Sequence, residues 1–556
     1  MKPDPTLNQS AKYSTLQNLA MRFWQWRAEH LPISYDDIPR MERPSGWVPD
    51  WSATAINARR HALANFVSEL ENLDPSGWST SQQVDYRLIG SALARVRWEL
   101  DITRSHEVNP DFYVHQTLGA IFLLLLRPST FDPPRCKEII TRLRGIPFTV
   151  ENAKQNLQDK AIRPFAVAAI DKLRNVSDCL DRVAVELQPL FDADSSTQLA
   201  QSTEDAIKAL ESFRQWLEDR LPQMNEETAV GRDAYCFFLR SVALMPFTPE
   251  QLLNSSKQEW ERSIAFESFE RTRNDGVPEL AVFANQAVQI EREAQLENDI
   301  RRFLEARNIL SVPDWVKHYH NLPLPSYLAP LSFMGVTDDL TSATRLDEDG
   351  ISYIKVPSPN LDYFSLSIAR DPRPLIVHEG VPGHYLQLAL SWAHENPIRR
   401  QYYDSGANEG IGFYAEELMM QFGLFDDSPH TREVMYSFMK LRAVRVEVDV
   451  KLALGLFTID QATNYLQKVA DLDEATARQE ATFFASSPGQ AITYQIGKLQ
   501  IVKFLADAKR IQRDNFNLRA FHDYVWKNGN VPIALQRWEL LGLTDEITML
   551  SKAQAV

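Results

Sequence analysis

Two histidines and three carboxylates, close together in sequence, carry the reactive chemistry of this chain. Residues 374 to 387 read Pro-Leu-Ile-Val-His378-Glu379-Gly-Val-Pro-Gly-His384-Tyr-Leu-Gln387, and Asn408-Glu409-Gly410 follows. Histidine is scarce, 11 in 556 residues, so this concentration is informative. A His-Glu…His cluster followed by Asn-Glu reads as a divalent-metal site. Neutral imidazole suits zinc, a carboxylate can be the third ligand, and a neighbouring Glu can take the proton from metal-bound water.

The spacing constrains the elements that hold these groups. Metal-binding histidines on one helix usually stand four apart, whereas His378 and His384 stand six apart. Six residues turn a regular helix through about 600°, which leaves the rings about 120° apart. Pro382 would lack the bond to the His378 carbonyl and clash with it. The spacing therefore predicts a broken or bulged helix between the histidines, a device common at functional sites. Glu409 and Glu416 stand seven apart, within about 20° of each other on a helix. Ile411, Ala415, Leu418 and Phe422 fall on the opposite side. That pattern fits a helix presenting two carboxylates to a site, and equally a solvated acidic face; the nearby His378-Glu379 pair favours the site.

Around this stretch the pattern is mostly helical. A helical start (Leu16 to Ala28) leads into a Pro- and Trp-rich connector around Pro39, Pro44 and Pro49. Helical periodicity then runs from Ala53 to about Leu310, clearest at Leu296, Ile300, Phe303 and Leu304. Prolines such as Pro110, Pro128, Pro147 and Pro246 punctuate it. From 311 to 373 prolines crowd in and Ile351-Ser-Tyr-Ile-Lys-Val356 is β-prone. This reads as loops with a small hairpin or edge strand, either a plain connector or a strand that aligns an extended peptide. Helical pattern returns from Leu386 through Arg399–Phe425, Met435–Phe457 and Asp460–Val469, to a set ending near Ala553. The expected domains are an N-terminal helical lobe, 1–310, and a C-terminal catalytic lobe, 311–556.

Composition narrows the function. Charged residues at 24% and apolar residues at 44% describe an ordinary soluble globular protein. A formal charge of −15 argues against nucleic acid as a partner. Apolar runs such as Ile121–Leu126 are too short to span a bilayer, so no membrane partner is expected. Three scattered cysteines, Cys136, Cys179 and Cys236, and an N-terminus without an apolar signal core lead to a cytoplasmic expectation.

Three motifs in order, His378-Glu-Gly-Val-Pro-Gly-His384-Tyr-Leu-Gln387, Asn408-Glu-Gly-Ile-Gly-Phe-Tyr-Ala-Glu416 and Pro488-Gly-Gln-Ala-Ile-Thr-Tyr494-Gln-Ile-Gly497, resemble the bacterial Domain of Unknown Function 885 family. Phe521-His-Asp-Tyr-Val-Trp-Lys-Asn-Gly-Asn-Val-Pro532 also fits it. The family is similar to helical zinc peptidases such as the carboxypeptidase Taq and oligopeptidase groups. The resemblance implies a mainly α, two-lobed, zincin-like body with a deep central cleft. It implies His378, His384 and Glu409 as ligands of Zn2+, Glu379 as general base, and Tyr494 as donor to the oxyanion. Where the family reads Arg…Asp-Thr-Gly-Leu-His, this chain has Arg445-Val-Glu-Val-Asp449-Val-Lys-Leu-Ala453. Where the family shows Arg-Tyr before Pro-Gly-Gln, it has Phe483-Phe484.

The resulting expectation is a zinc-dependent amide hydrolase, a metallopeptidase acting on small peptides or one small amide. Glu416 and Gln387 are candidates for supporting the ligands. Arg442 and Arg445 are candidates for a substrate carboxylate or for structural ion pairs. The alternatives are a non-haem iron enzyme, since two His and one carboxylate also suit iron, and a weakened metal-binding protein, suggested by Ala453 and Phe483-Phe484.

Overall fold

Capping residues mark where the helices begin. Ser79 Oγ accepts the Gln82 N–H while Gln82 Oε1 accepts the Ser79 N–H, opening Thr80–Arg97. Thr248 and Gln251 make the same exchange before Pro249–Arg273, with Pro249 at a position whose N–H is not needed. Asp132 caps Pro133–Leu157, and that helix runs on through Pro147, where a break was expected. Leu143, Ile146 and Val150 around it are buried, so core packing holds a turn that loses one backbone bond.

The computed structural model describes residues 5–34, 41–128 and 130–551, which are mainly helical with one small sheet. Pro39 and Ala553 lie outside the described residues. The first helix is Pro5–His30. The Leu296 stripe lies on Gln286–Ala306, with Leu296, Ile300 and Leu304 buried and Phe303 partly so. The expected Arg399–Phe425 helix is two helices, Pro397–Gln401 and Ser405–Gln421, because Asp404 Oδ2 accepts the Ala407 N–H at 2.9 Å and starts the second.

The sheet differs from the expected hairpin or edge strand. Strands β1 (Tyr319–Pro323), β2 (Asp338–Asp339) and β3 (Gly350–Ile354) lie in the order β1-β3-β2. The β-prone Ile351 segment is the central strand, parallel to β1 and antiparallel to β2. All five of its residues are buried, Ser352 included, as expected of a strand paired on both edges and covered on both faces.

The largest apolar core joins early residues such as Leu16 and Phe23 to Tyr353, Tyr402 and Trp538. A second core gathers Leu304, Val377, Leu386, Ile411 and Phe504 around the metal-motif segment. Pro249–Arg273 packs along Pro429–Ala453, and Ser405–Gln421 along Thr493–Gln512. At the latter crossing a Cβ on Gly410 would sit 2.7 Å from the Gly497 backbone, so the two helices meet backbone to backbone. No helix among the described residues is long and apolar enough to cross a membrane.

Candidate metal centre

His378 and Glu379 sit on a wide π-type turn, Ile376–Gly380, and a new helix, His384–Trp392, begins at the second histidine. The break predicted by the six-residue spacing is therefore present. Between them the Val381–Pro382 peptide is cis. Gly383 is required by close approach, since a Cβ there would lie 1.8 Å from the His378 carbonyl oxygen. The break turns the two imidazoles toward each other, ring centroids 4.7 Å apart and nearly perpendicular.

Ser405–Gln421 supplies the carboxylates. Glu409 Oε2 lies 3.3 Å from His384 Nε2 and 3.5 Å from His378 Nε2, and all three side chains are buried. Ile411, Ala415 and Leu418 anchor the opposite side of this helix in the core. A solvated acidic face is thereby excluded. Glu416, one turn-pair further on, lies 2.6 Å from His378 Nδ1 and 3.0 Å from Arg442 Nη2. A tetrahedral zinc with bonds of about 2.0–2.1 Å sets its ligand atoms about 3.3 Å apart. The Glu409 and imidazole atoms match that spacing.

Glu379 stands beside this trio. His378, Glu379 and His384 each place one ligand-type atom within 4.8 Å of the others. Glu379 Oε2 is buried with no hydrogen-bond partner, as are His384 Nδ1 and Glu409 Oε2. Of the two carboxylates, Glu409 is the closer to both Nε2 atoms and has the ligand's geometry, leaving Glu379 as the neighbour.

The electrostatics demand positive charge at this spot. Burial favours a neutral His378, but Glu409, Glu416 and Glu379 outweigh it and push the imidazole up to about 10. Burial would raise Glu409, but His384 and His378 hold it well below the usual carboxylate range.

The Tyr494 ring stacks on His378, centroids 6.3 Å apart and 21° from parallel. The guanidinium groups of Arg442 and Arg445 lie over the Tyr494 ring at 5.5 and 5.7 Å. Neither is available for a substrate carboxylate. Arg442 is committed to Glu416, and Arg445 makes a bidentate pair with Glu480 at 2.6 and 2.7 Å. Gln387 does not reach the trio. It is a buried brace that accepts from Asn408 Nδ2 and donates to Ser391 Oγ and Asn530 Oδ1, tying His384–Trp392 to Ser405–Gln421.

Ala453 is remote. It ends Pro429–Ala453, eleven residues beyond Arg442, about 16 Å along the helix. There it packs with Tyr235, Phe238 and Val450, and its carbonyl accepts the Gly231 N–H at 2.9 Å. A histidine at this position would not lie beside the imidazoles, so Ala453 is no sign of lost chemistry. Phe484 packs against the Arg445 guanidinium, and Phe483 faces a cavity.

Sequence reasoning missed two supports. Asp449 accepts the Gly489 and Ala491 N–H groups at 2.9 Å each and the Tyr235 hydroxyl at 3.0 Å, fixing the loop that leads into the Tyr494 helix. Asn530 completes the Gln387 brace from 143 residues away. No local pattern signals either contact.

A cavity of about 1870 Å³ lies against these elements. Its wall includes Phe23 and Trp24 from the first helix, Tyr363 and Phe364, Ser405 and Gly406 at the start of the Glu409 helix, and Thr493 beside Tyr494. The trio's own side chains lie behind this wall rather than on it.

A family model described as "Bacterial protein of unknown function (DUF885)" matches residues 39–539. Among curated proteins, none matches the chain. Two solved structures share its fold. A "putative lipoprotein of unknown function" from Shewanella oneidensis is 16% identical with a TM-score of 0.70, covering 96% of this chain and 98% of its own. A "putative lipoprotein" from Colwellia psychrerythraea is 17% identical with a TM-score of 0.71, covering 99% and 100%. That both neighbours are described as putative lipoproteins is the finding that overturns the cytoplasmic expectation. Three unpaired cysteines, one buried and two partly so, are compatible with either side of a membrane and were no ground for it.

Proposed function

This chain belongs to the bacterial DUF885 family, and on that footing we propose that it is a zinc-dependent hydrolase of amide bonds, a metallopeptidase acting on short peptides. One observation carries the reading: a buried carboxylate oxygen 3.3 and 3.5 Å from two imidazole Nε2 atoms, with a second, unpartnered carboxylate alongside. Two nitrogens and one oxygen are a donor set zinc accepts while leaving a position open. Glu416 at His378 Nδ1 supports it further, because a carboxylate there fixes the ring so that Nε2 faces the centre.

His378, His384 and Glu409 would hold the ion. When bound, zinc supplies Lewis acidity, polarising an amide carbonyl and acidifying water. Glu379, buried at one oxygen and without a partner, is placed to take a proton from the attacking water and return it to the leaving amine. Tyr494, stacked on His378, is the candidate donor to the carbonyl oxygen as it gains charge. Arg442 acts at one remove, holding Glu416. In this reading the body is zincin-like, with lobes 1–310 and 311–556 meeting at the cavity.

Metal analysis of the purified protein tests this. About one zinc per chain is expected, absent from His378→Ala and His384→Ala. Iron in place of zinc, or full zinc retention by both variants, would overturn the assignment.

A further inference from the structure

Two of the eleven histidines, His318 and His320, stand two apart in sequence and outside the site described above. His320 lies on β1 and His318 immediately precedes it, its carbonyl accepting the Gly350 N–H at 2.8 Å. Side chains two apart on a strand share a face. Tyr319, between them, is buried and turned inward, where a Cβ on Gly380 would come within 2.6 Å of its ring. The two imidazoles face the other way, 44% and 36% exposed, with ring centroids 5.8 Å apart and planes 27° from parallel.

A carboxylate meets each ring, in a different way. Glu297 is buried, with Oε1 taken by Arg301 at 2.6 Å and Oε2 3.0 Å from His318 Nδ1. This repeats what Glu416 does at His378: a buried carboxylate accepts from Nδ1, fixes the ring and leaves the Nε2 lone pair for an ion. Asp349 Oδ1 accepts the His318 backbone N–H at 3.0 Å, while its Oδ2 stands 3.6 Å from His320 Nε2. That separation is too long for a hydrogen bond and close to the spacing of about 3.3 Å between two ligands of one zinc. Glu409 shows nearly the same spacing, 3.3 and 3.5 Å, from its own imidazoles. The His378 and His384 rings are 4.7 Å apart, and a small rotation of two exposed rings closes the difference.

We infer that His318 Nε2, His320 Nε2 and Asp349 Oδ2 form a second, exposed metal site for a borderline divalent ion such as zinc. Two imidazoles and a carboxylate suit that class of ion rather than calcium or magnesium, which take oxygen ligands. The ion ties the start of β1 to the residue before β3, and so braces the strand whose inner face presses on Gly380. This site stands apart from the proposed hydrolase, and neither needs the other. Ligands this exposed release their ion during purification, so the zinc content of the purified protein still reports the buried trio.

The experiment uses the full chain carrying His378→Ala, stripped with a chelator and titrated with zinc by calorimetry. About one ion per chain is expected to bind, and to raise the melting temperature by binding the folded state. Adding His318→Ala or His320→Ala should abolish both the heat and the shift, and Asp349→Asn should weaken both. No saturable zinc binding, or binding and stabilisation undiminished by His320→Ala, overturns the inference. Melting temperatures without metal establish that the variants are folded. Should His318→Ala fail to fold because Glu297 loses its partner, the exposed His320→Ala alone decides. If the trio held no metal, His378→Ala would be a neutral background and the comparison would read the same. Failure of the exposed site, in turn, leaves zinc in the wild-type trio untouched.

Discussion

Glu379 and Glu409 are both glutamates beside the same imidazoles, yet the geometry separates their roles. Glu409 is within 3.5 Å of both Nε2 atoms, whereas Glu379 keeps an oxygen without a partner. Glu379→Gln preserves shape but cannot accept a proton. It is expected to keep its zinc and lose about a hundredfold or more in rate; unchanged turnover in a peptide assay would remove Glu379 from the chemistry. Ala453 gives the opposite prediction. Placing an imidazole there forces it into the packing of Tyr235, Phe238 and Val450. Ala453→His should cost about 1–3 kcal/mol of stability through overpacking and gain no peptidase activity. A faster enzyme with unchanged denaturant midpoint would show that this account of the position is mistaken.

Among the elements, the Tyr494 helix depends on one buried carboxylate. Asp449 holds the Gly489–Ala491 turn through two backbone N–H groups and meets the Tyr235 hydroxyl. Burial raises Asp449 to about 7, and the hydrogen bonds it accepts only partly offset this. The folded state therefore binds this proton more tightly than the unfolded chain, whose Asp titrates near 3.9. Stability from this group is fully present below about pH 4 and is lost as pH rises through about 7. Asp449→Asn cannot titrate. Relative to that variant, wild type should lose ground in urea midpoint between pH 5 and pH 8. A difference that stays flat or grows with pH would show that Asp449 is ionised throughout.

For the whole molecule, the proposed function makes the cavity the route by which a substrate approaches. At about 1870 Å³ it exceeds the 300–1,000 Å³ of common small-ligand pockets, so a single small amide underuses it. A folded 100-residue domain, with a radius of gyration of about 13 Å, is far too large to enter. The expected outcome is cleavage of short peptides and none of folded proteins. Offering one folded protein and its own tryptic digest, with products followed by mass spectrometry, checks this; degradation of the folded form at a comparable rate would mean the cavity does not gate access.

The sequence by itself determined the helical character, the break between the histidines and the identity of the clustered residues. Each of these is written within one element: apolar periodicity chooses the buried side of Ser405–Gln421, and Pro382 forbids a regular helix from His378 to His384. Only the tertiary structure decided which carboxylate is closest to both imidazoles, that Arg442 and Arg445 are already paired, that the Ile351 strand is central, and that Ala453 is remote. It also decided that Asn530 and Asp449 brace the site. The reason is physical. Local spacing fixes directions within a helix or strand, whereas contacts between segments up to hundreds of residues apart are set by how whole faces pack, and they leave no mark in the spacing of either segment.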